Sequence, residues 1–191
     1  MLQILPKTFY ERSPDNVARY LLGKSLVRKF EGKIIDSMIV ETEAYFGERD
    51  PASRAFNGKK RYNLMMWDEP GRLFIYNVHK YWMMNVIAHE PGNVGGVLIR
   101  ALEPKTGIDI MRTLRKTNDD RELASGPGKL SIALGITPDL NGCPVTDLNS
   151  PVLIYDAPVI MDYCTSHRIG VTKDLMEKLR FYVKNNKFVS K

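Results

Sequence analysis

The chain is poor in the residues that build metal centres and disulfide scaffolds. Its 191 residues hold only two cysteines, Cys143 and Cys164, far apart and outside any Cys-x-x-Cys pattern. Neither a disulfide framework nor a thiolate metal site is suggested by that usage. Three histidines, His79, His89 and His167, keep no His-x-x-x-His or His-Glu-x-x-His spacing, so a zinc site is not expected. No apolar run approaches the ~18 residues of a membrane span, and the opening Met-Leu-Gln-Ile-Leu-Pro-Lys lacks the apolar region of a signal peptide. A soluble intracellular protein with no membrane partner is the expectation. Walker glycines and a Gly-x-Ser-x-Gly elbow are missing as well, which removes nucleotide hydrolysis and the commonest serine esterase pattern.

What is present is an ordinary core and a basic surface. With 43% hydrophobic and 26% charged residues the chain can bury a sizeable core. Twenty-eight Lys and Arg against twenty-two Asp and Glu give +6, a balance that favours a polyanion such as nucleic acid. Ser13-Pro14 followed by Asp15 to Leu22 and Gly23 has the punctuation of a short helix, with Val17, Tyr20 and Leu21 inward. Two strand-like runs, 25–30 and 33–45, flank Glu31-Gly32 as a hairpin. Residues 46–71 form a long polar loop carrying Lys59-Lys60-Arg61. Beyond it, 72–76, 81–88 and 96–102 read as strands, 106–115 and 127–134 as helices, and 152–155 as a strand. A last helix is expected over 173–179, and a basic, frayed tail from about Lys184. Without repeats or a linker, the expected architecture is α+β: one domain over residues 1–191, a curved, mostly antiparallel sheet with flanking helices.

The segment Met38 to Tyr45 is the most informative. Strand alternation puts Glu41, Glu43 and Tyr45 on one face and Val40, Thr42 and Ala44 on the other. Two acids beside a phenol can activate water and hold a flat ligand. A half-exposed strand with a wet face explains the same pattern, and on this segment alone it is the stronger explanation.

Four blocks shift that balance. Val40-Glu41-Thr42-Glu43-Ala44-Tyr45, Val97-Leu98-Ile99-Arg100-Ala101-Leu102-Glu103-Pro104, Asp120-Arg121-Glu122-Leu123 and Ser125-Gly126-Pro127-Gly128-Lys129-Leu130 occur in one order. Together they closely resemble the alkyladenine (3-methyladenine) DNA glycosylase family, over about Phe9 to Asp156. The resemblance implies a monofunctional enzyme that hydrolyses the N-glycosidic bond of alkylated or deaminated purines flipped out of double-stranded DNA, leaving an abasic site. It implies a monomer acting in the cytoplasm or nucleoid, with no cofactor. On matching positions, Glu43 is the general base. Arg100 helps to hold the water and the backbone near the lesion. Tyr45 and Tyr76 stack on the flipped base, Asn85 lines its pocket, and Lys129 contacts phosphate. Glu41 is left as a structural partner for a nearby arginine.

Two departures from the family pattern stand out. Ser53-Arg54-Ala55 replaces a Ser-His context, and a guanidinium in a base pocket cannot accept a proton and repels a cationic base. Arg54 therefore either faces phosphate or reshapes the pocket, leaving lesion preference open. The hairpin between Tyr76 and Asn85 is one residue short and lacks Tyr-Gly, so the wedge that fills the gap left by the flipped nucleotide falls to His79 or, second, Tyr81. These departures keep a rival reading in view, a protein that binds lesion DNA without turnover. A free-nucleoside hydrolase using Glu41 and Glu43 is disfavoured, because glycoside hydrolases set their two carboxyls on opposite sides of the bond.

Overall fold

The computed structural model describes residues 3–191. Two short helices, α1 (Lys7–Tyr10) and α2 (Pro14–Leu21), lead into the hairpin of β1 (Ser25–Phe30) and β2 (Lys33–Phe46). Its turn is Glu31-Gly32, with φ of 48° and 74°, the left-handed pair that suits a two-residue hairpin. A single 3-10 segment, Arg61–Trp67, interrupts the long loop before β3 (Leu73–Val78), β4 (Tyr81–Ile87) and β5 (Gly95–Thr106). Helices α3 (Ile108–Arg115) and α4 (Pro127–Ala133) follow, then β6 (Val152–Tyr155), β7 (Tyr163–Ser166) and β8 (Arg180–Val183).

All eight strands join one antiparallel sheet in the order β3-β4-β5-β2-β1-β6, with β8 pairing both β2 and β7. The chain is thus a single α+β domain on a curled sheet, as its sequence predicts. The fourteen-residue β2 changes neighbour along its length: Lys33 to Met38 pair with β1, and Glu41 to Glu43 pair with β8. On either side of Glu41 the register slips against β5. Ile39 faces Leu102 and Glu41 faces Ala101, so Val40 is an extra residue on β2. Thr42 then faces Ile99, so Arg100 is an extra residue on β5. Such bulges bend strands and re-aim side chains.

The bulge changes which residues share a face. Val40 does not join Thr42 and Ala44, as simple alternation predicts, but packs with Ala101 and Phe188. Ala44 stays in the main core, and the Thr42 hydroxyl donates to the carbonyl of Ala18 in α2 at 2.8 Å. Residues Ile39 to Ala44 are buried throughout. The wet-faced strand is therefore not found: Glu41 and Glu43 are both 0% exposed.

Two expectations for the later residues fail. Residues 173–179 form bends, not a helix. The Asp174 carboxylate accepts from the amides of Arg168 and Leu175, and the Leu179 carbonyl accepts from Ala44 at 2.9 Å. Those bonds compete with helix formation and deliver the chain into β8. Residues from Lys184 onward are not frayed either. Phe188 is 7% and Ser190 8% exposed, and Ser190 reaches back to β2. No helix among the described residues is long and apolar enough to cross a membrane.

Candidate active site

Bulged Arg100 lies between the two acids of β2. Its Nε donates to Glu41 at 2.9 Å and its Nη1 to Glu43 at 3.3 Å. Glu43 Oε2 also accepts from the Tyr45 hydroxyl at 2.8 Å, and its Oε1 from the Ile169 amide at 2.7 Å. The Glu43 carboxylate is therefore held by three donors from three segments. Burial pushes its pKa up, and this outweighs the lowering by Arg100, the Ile169 amide and the Tyr45 hydroxyl, while the charge of Glu41 adds to the rise. Burial alone would lower Arg100, but Glu43 and Glu41 hold its pKa above the ordinary value.

A cleft of about 770 Å³ opens beside this group; Tyr45, Arg100 and Ile169 reach its wall, whereas Glu43, 0% exposed, lies behind them and does not line it. Tyr45, Arg54, Tyr76, Tyr81, Arg100 and Lys129 all line it, as does Ile169. Asn85 lies deeper, in a narrow recess shared with Tyr45, Tyr76 and Arg54. Its amide donates to the backbone carbonyls of Phe74 and Met83 at 3.2 and 3.3 Å. Arg54 does face inward: its guanidinium sits 4.5 Å from the Tyr76 ring centroid. Burial raises the Tyr76 pKa, against the pull of Arg54.

His79 is exposed at the β3–β4 turn with φ of 54° and is not part of the cleft wall. The Tyr81 ring packs closely on Gly128, where an added Cβ would meet it at 2.9 Å. This close packing requires glycine at position 128 and fixes the Tyr81 ring against the start of α4. Lys129, on the cleft wall, pairs with Glu122, so its ammonium already has a carboxylate partner. The Asp120 block acts as scaffolding, since Asp120 accepts from Arg112 at 2.9 and 3.1 Å.

Sequence reasoning misses the segment after β7. Arg168, with a side chain 0% exposed, donates to Asp50 at 2.7 and 2.8 Å, to Asp174 at 2.9 Å and to the Ala44 carbonyl at 2.9 Å. Its guanidinium lies 4.5 Å from the Tyr45 ring centroid. Burial lowers the arginine's pKa, but Asp50 and Asp174 outweigh it, and the result is a raised value. Arg168 thus ties the long loop to Tyr45 and sets Ile169, its neighbour, against Glu43. A lone arginine before Ile169-Gly170 carries no periodicity that marks it in advance.

The description of the matching family model is Methylpurine-DNA glycosylase (MPG), and it covers residues 8–187. The chain belongs to the methylpurine-DNA glycosylase family. A relative from Aeropyrum pernix, named "Putative 3-methyladenine DNA glycosylase", is 42% identical over 100% of this chain and 95% of its own length. Proteins of the same name from Carboxydothermus hydrogenoformans and Methanocella arvoryzae are 42% and 40% identical, covering 98% and 100% of this chain and 99% and 97% of theirs. The family match extends past Asp156, through β7 and β8, and so takes in Arg168, Ile169 and Arg180. Among the described residues, no three His, Cys, Asp or Glu side chains are grouped to hold a metal ion, and both cysteines are free.

Proposed function

We propose that this methylpurine-DNA glycosylase family member hydrolyses the N-glycosidic bond of alkylated or deaminated purines flipped out of duplex DNA. The observation that supports this best is a buried carboxylate of raised pKa, Glu43, behind a cleft whose wall includes Tyr45 and Tyr76. Extruding the nucleotide costs a few kcal/mol, least for a damaged or mispaired base, and that difference contributes selectivity. Tyr45 and Tyr76 offer the flipped base its stacking faces, each worth ~1–3 kcal/mol in nucleic-acid binders. The recess between them has about 10 Å³, roughly the space of one water. The base is therefore received in the wider cleft.

In the reaction, Glu43 takes a proton from the attacking water as the water oxygen bonds to the sugar carbon. The bond from that carbon to the purine breaks, and its electron pair leaves with the base. Charge on Glu43 also stabilises the oxocarbenium-like sugar. Glu43 Oε2 already accepts from Arg100 and Tyr45, whereas Oε1 accepts only from Ile169. Oε1 is the atom free to take the proton.

A duplex carrying a single lesion, mixed with excess wild-type protein, decides the matter. Free purine and an alkali-labile abasic strand are expected, and their absence while binding persists leaves a protein that only binds lesion DNA. The base must be ionised, so the single-turnover rate falls as pH drops through the Glu43 pKa. Because burial raises that pKa above 4.5, the acid limb is displaced toward neutrality. A limb at or below 4.5 argues against Glu43 as the titrating base.

Arg54 sets a second expectation. A guanidinium 4.5 Å from the Tyr76 ring repels a cationic alkylpurine and leaves neutral hypoxanthine untouched. Arg54→Gln should raise the rate ratio of 7-methylguanine to hypoxanthine release roughly two- to fivefold, the scale of a screened, solvent-exposed charge. An unchanged ratio removes Arg54 from lesion choice.

A further inference from the structure

Glu41 receives more donors than any reading of the reaction requires. Its Oε1 accepts from Arg100 Nε at 2.9 Å, from Arg180 Nε at 2.7 Å and from the Ser190 hydroxyl at 2.8 Å. Its Oε2 accepts from the Ser190 amide at 2.7 Å. Ser190 also bridges the two arginines: Arg100 Nη2 donates to its hydroxyl at 3.4 Å, and Arg180 Nη2 to its carbonyl at 3.2 Å. Arg180 Nη1 donates to Ser166 Oγ at 3.1 Å, tying the group to β7. Glu41 is 0% exposed and the Arg100 and Arg180 side chains only 7% and 10% exposed.

The segment leading to Ser190 is itself anchored. Phe188 packs with Val40 and Ala101, the bulge on β2 and its neighbour on β5. The Asn186 amide donates to Glu103 at 2.6 Å, and its side-chain oxygen accepts from the Phe188 amide at 2.9 Å. Ser190 is thereby delivered to one place, against the carboxylate that competes with Glu43 for Arg100.

We propose that Glu41, Arg180 and Ser190 form a positioning unit that sets how Arg100 is shared between Glu41 and Glu43, and so tunes the general base. A guanidinium drawn toward Glu41 leaves Glu43 a stronger proton acceptor, and one released toward Glu43 weakens it. None of the three touches the cleft. The groups facing Glu43 are Arg100 on β5, Glu41 and Tyr45 on β2, Tyr76 on β3, Arg180 on β8 and the Ile169 amide after β7, with Arg168 stacked on Tyr45 next to them. Of these, only Arg100 and Arg180 are shared with Glu41.

This inference rests on Glu43 being the base, and its test has a part that does not. Two variants act on the unit in opposite senses. Glu41→Gln removes the rival carboxylate, so Arg100 turns to Glu43, and the Glu43 titration midpoint moves down. Ser190→Ala leaves Glu41 short of a donor, so Arg100 is drawn to Glu41, and the midpoint moves up. The midpoint is read in free protein carrying ¹³C-labelled glutamate, with the Glu43 signal assigned by its loss in Glu43→Gln. Single-turnover release from a hypoxanthine duplex is measured in parallel. Expected losses are on the order of 100-fold for Glu41→Gln, where the base is weakened and Arg100 displaced, and tenfold for Ser190→Ala, where displacement of Arg100 from the cleft wall outweighs the stronger base, the scale of a slightly displaced catalytic group. Duplex affinity stays within about threefold in both, and Ser190→Thr, which keeps the hydroxyl, recovers the rate.

Shifts of opposite sign support the unit even if wild type releases no purine, an outcome that would remove the proposed reaction alone. Should Glu41→Gln fail to fold, Ser190→Ala decides by itself. An unchanged Glu43 midpoint in folded Ser190→Ala overturns the proposal, as does a fall in rate matched by an equal fall in affinity.

Discussion

Glu43→Gln lowers single-turnover purine release by about 10³-fold or more while leaving the affinity for lesion duplex nearly unchanged. The size follows from two losses. General-base assistance contributes about 10²- to 10⁴-fold, and a neutral amide no longer balances positive charge on the sugar as the bond breaks. Binding is retained because the amide oxygen still accepts from Ile169, and the stacking walls, Tyr45 and Tyr76, are untouched. Folding is retained as well. A carboxyl whose pKa is raised on folding contributes its full stability only when protonated, below the unfolded value, and loses that contribution as pH rises through the folded value. At pH 7 burial thus disfavours the charged side chain, while the amide takes one carboxylate from buried Arg100, which keeps Glu41, so the glutamine variant should stay folded with a melting temperature close to wild type. Release that persists in Glu43→Gln removes this residue from the chemistry. A lower melting temperature at pH 7 would show that Arg100 and the two hydrogen-bond donors, not burial, control its ionisation.

Much of the sheet was legible because its hairpins announce themselves. Glu31-Gly32 adopts the backbone its residue types favour, and the strands on either side run as their apolar alternation predicts. The two bulges were not legible. Neither Val40 nor Arg100 is a glycine or next to a proline, and a single extra residue leaves no trace in composition while reversing which face Val40 joins. The same slip aims Arg100 at the acids. Burial of Glu41 and Glu43 was also hidden, since alternating charge describes a wet sheet face equally well. Only the later segments, Arg168 to Asp174 and Arg180 to Ser190, close that face. These segments hold no regular apolar period, because their order comes from side chains bonding to backbone and to distant carboxylates. The helical pattern over 173–179 misleads for that reason: Asp174, near its start, bonds locally and to Arg168. His79 and Tyr81 show the reverse case. The β3–β4 hairpin forms where its sequence predicts, but the Tyr81 ring rests on Gly128, and nothing in the local sequence signals so distant a contact.

Arg168→Ala should be the most destabilising single change near the site. Its guanidinium is 0% exposed and faces Asp50, also 0% exposed, through two bonds of 2.7 and 2.8 Å. Removing one partner of a buried pair strands the other charge, at about 3–5 kcal/mol. For a chain of this length that corresponds to a drop of roughly 6–20 °C in melting temperature. Asp50 retains the amides of Phe46 and Ala52, both at 3.0 Å, which softens the loss toward the lower figure. Asp174 loses its only buried cation, which works in the other direction. Arg168→Lys recovers little, because one ammonium cannot reproduce the fork that meets Asp50, Asp174 and the Ala44 carbonyl together. The double variant Arg168→Met with Asp50→Asn should be more stable than Arg168→Ala, since no buried charge is left facing an empty space. Activity falls further than stability accounts for, because Ile169, adjacent to Arg168, holds Glu43 Oε1, and Tyr45 loses the cation stacked on it. A thermal melt within about 2 °C of wild type, taken with the scale above, would mean that water replaces the guanidinium and that the loop does not depend on it.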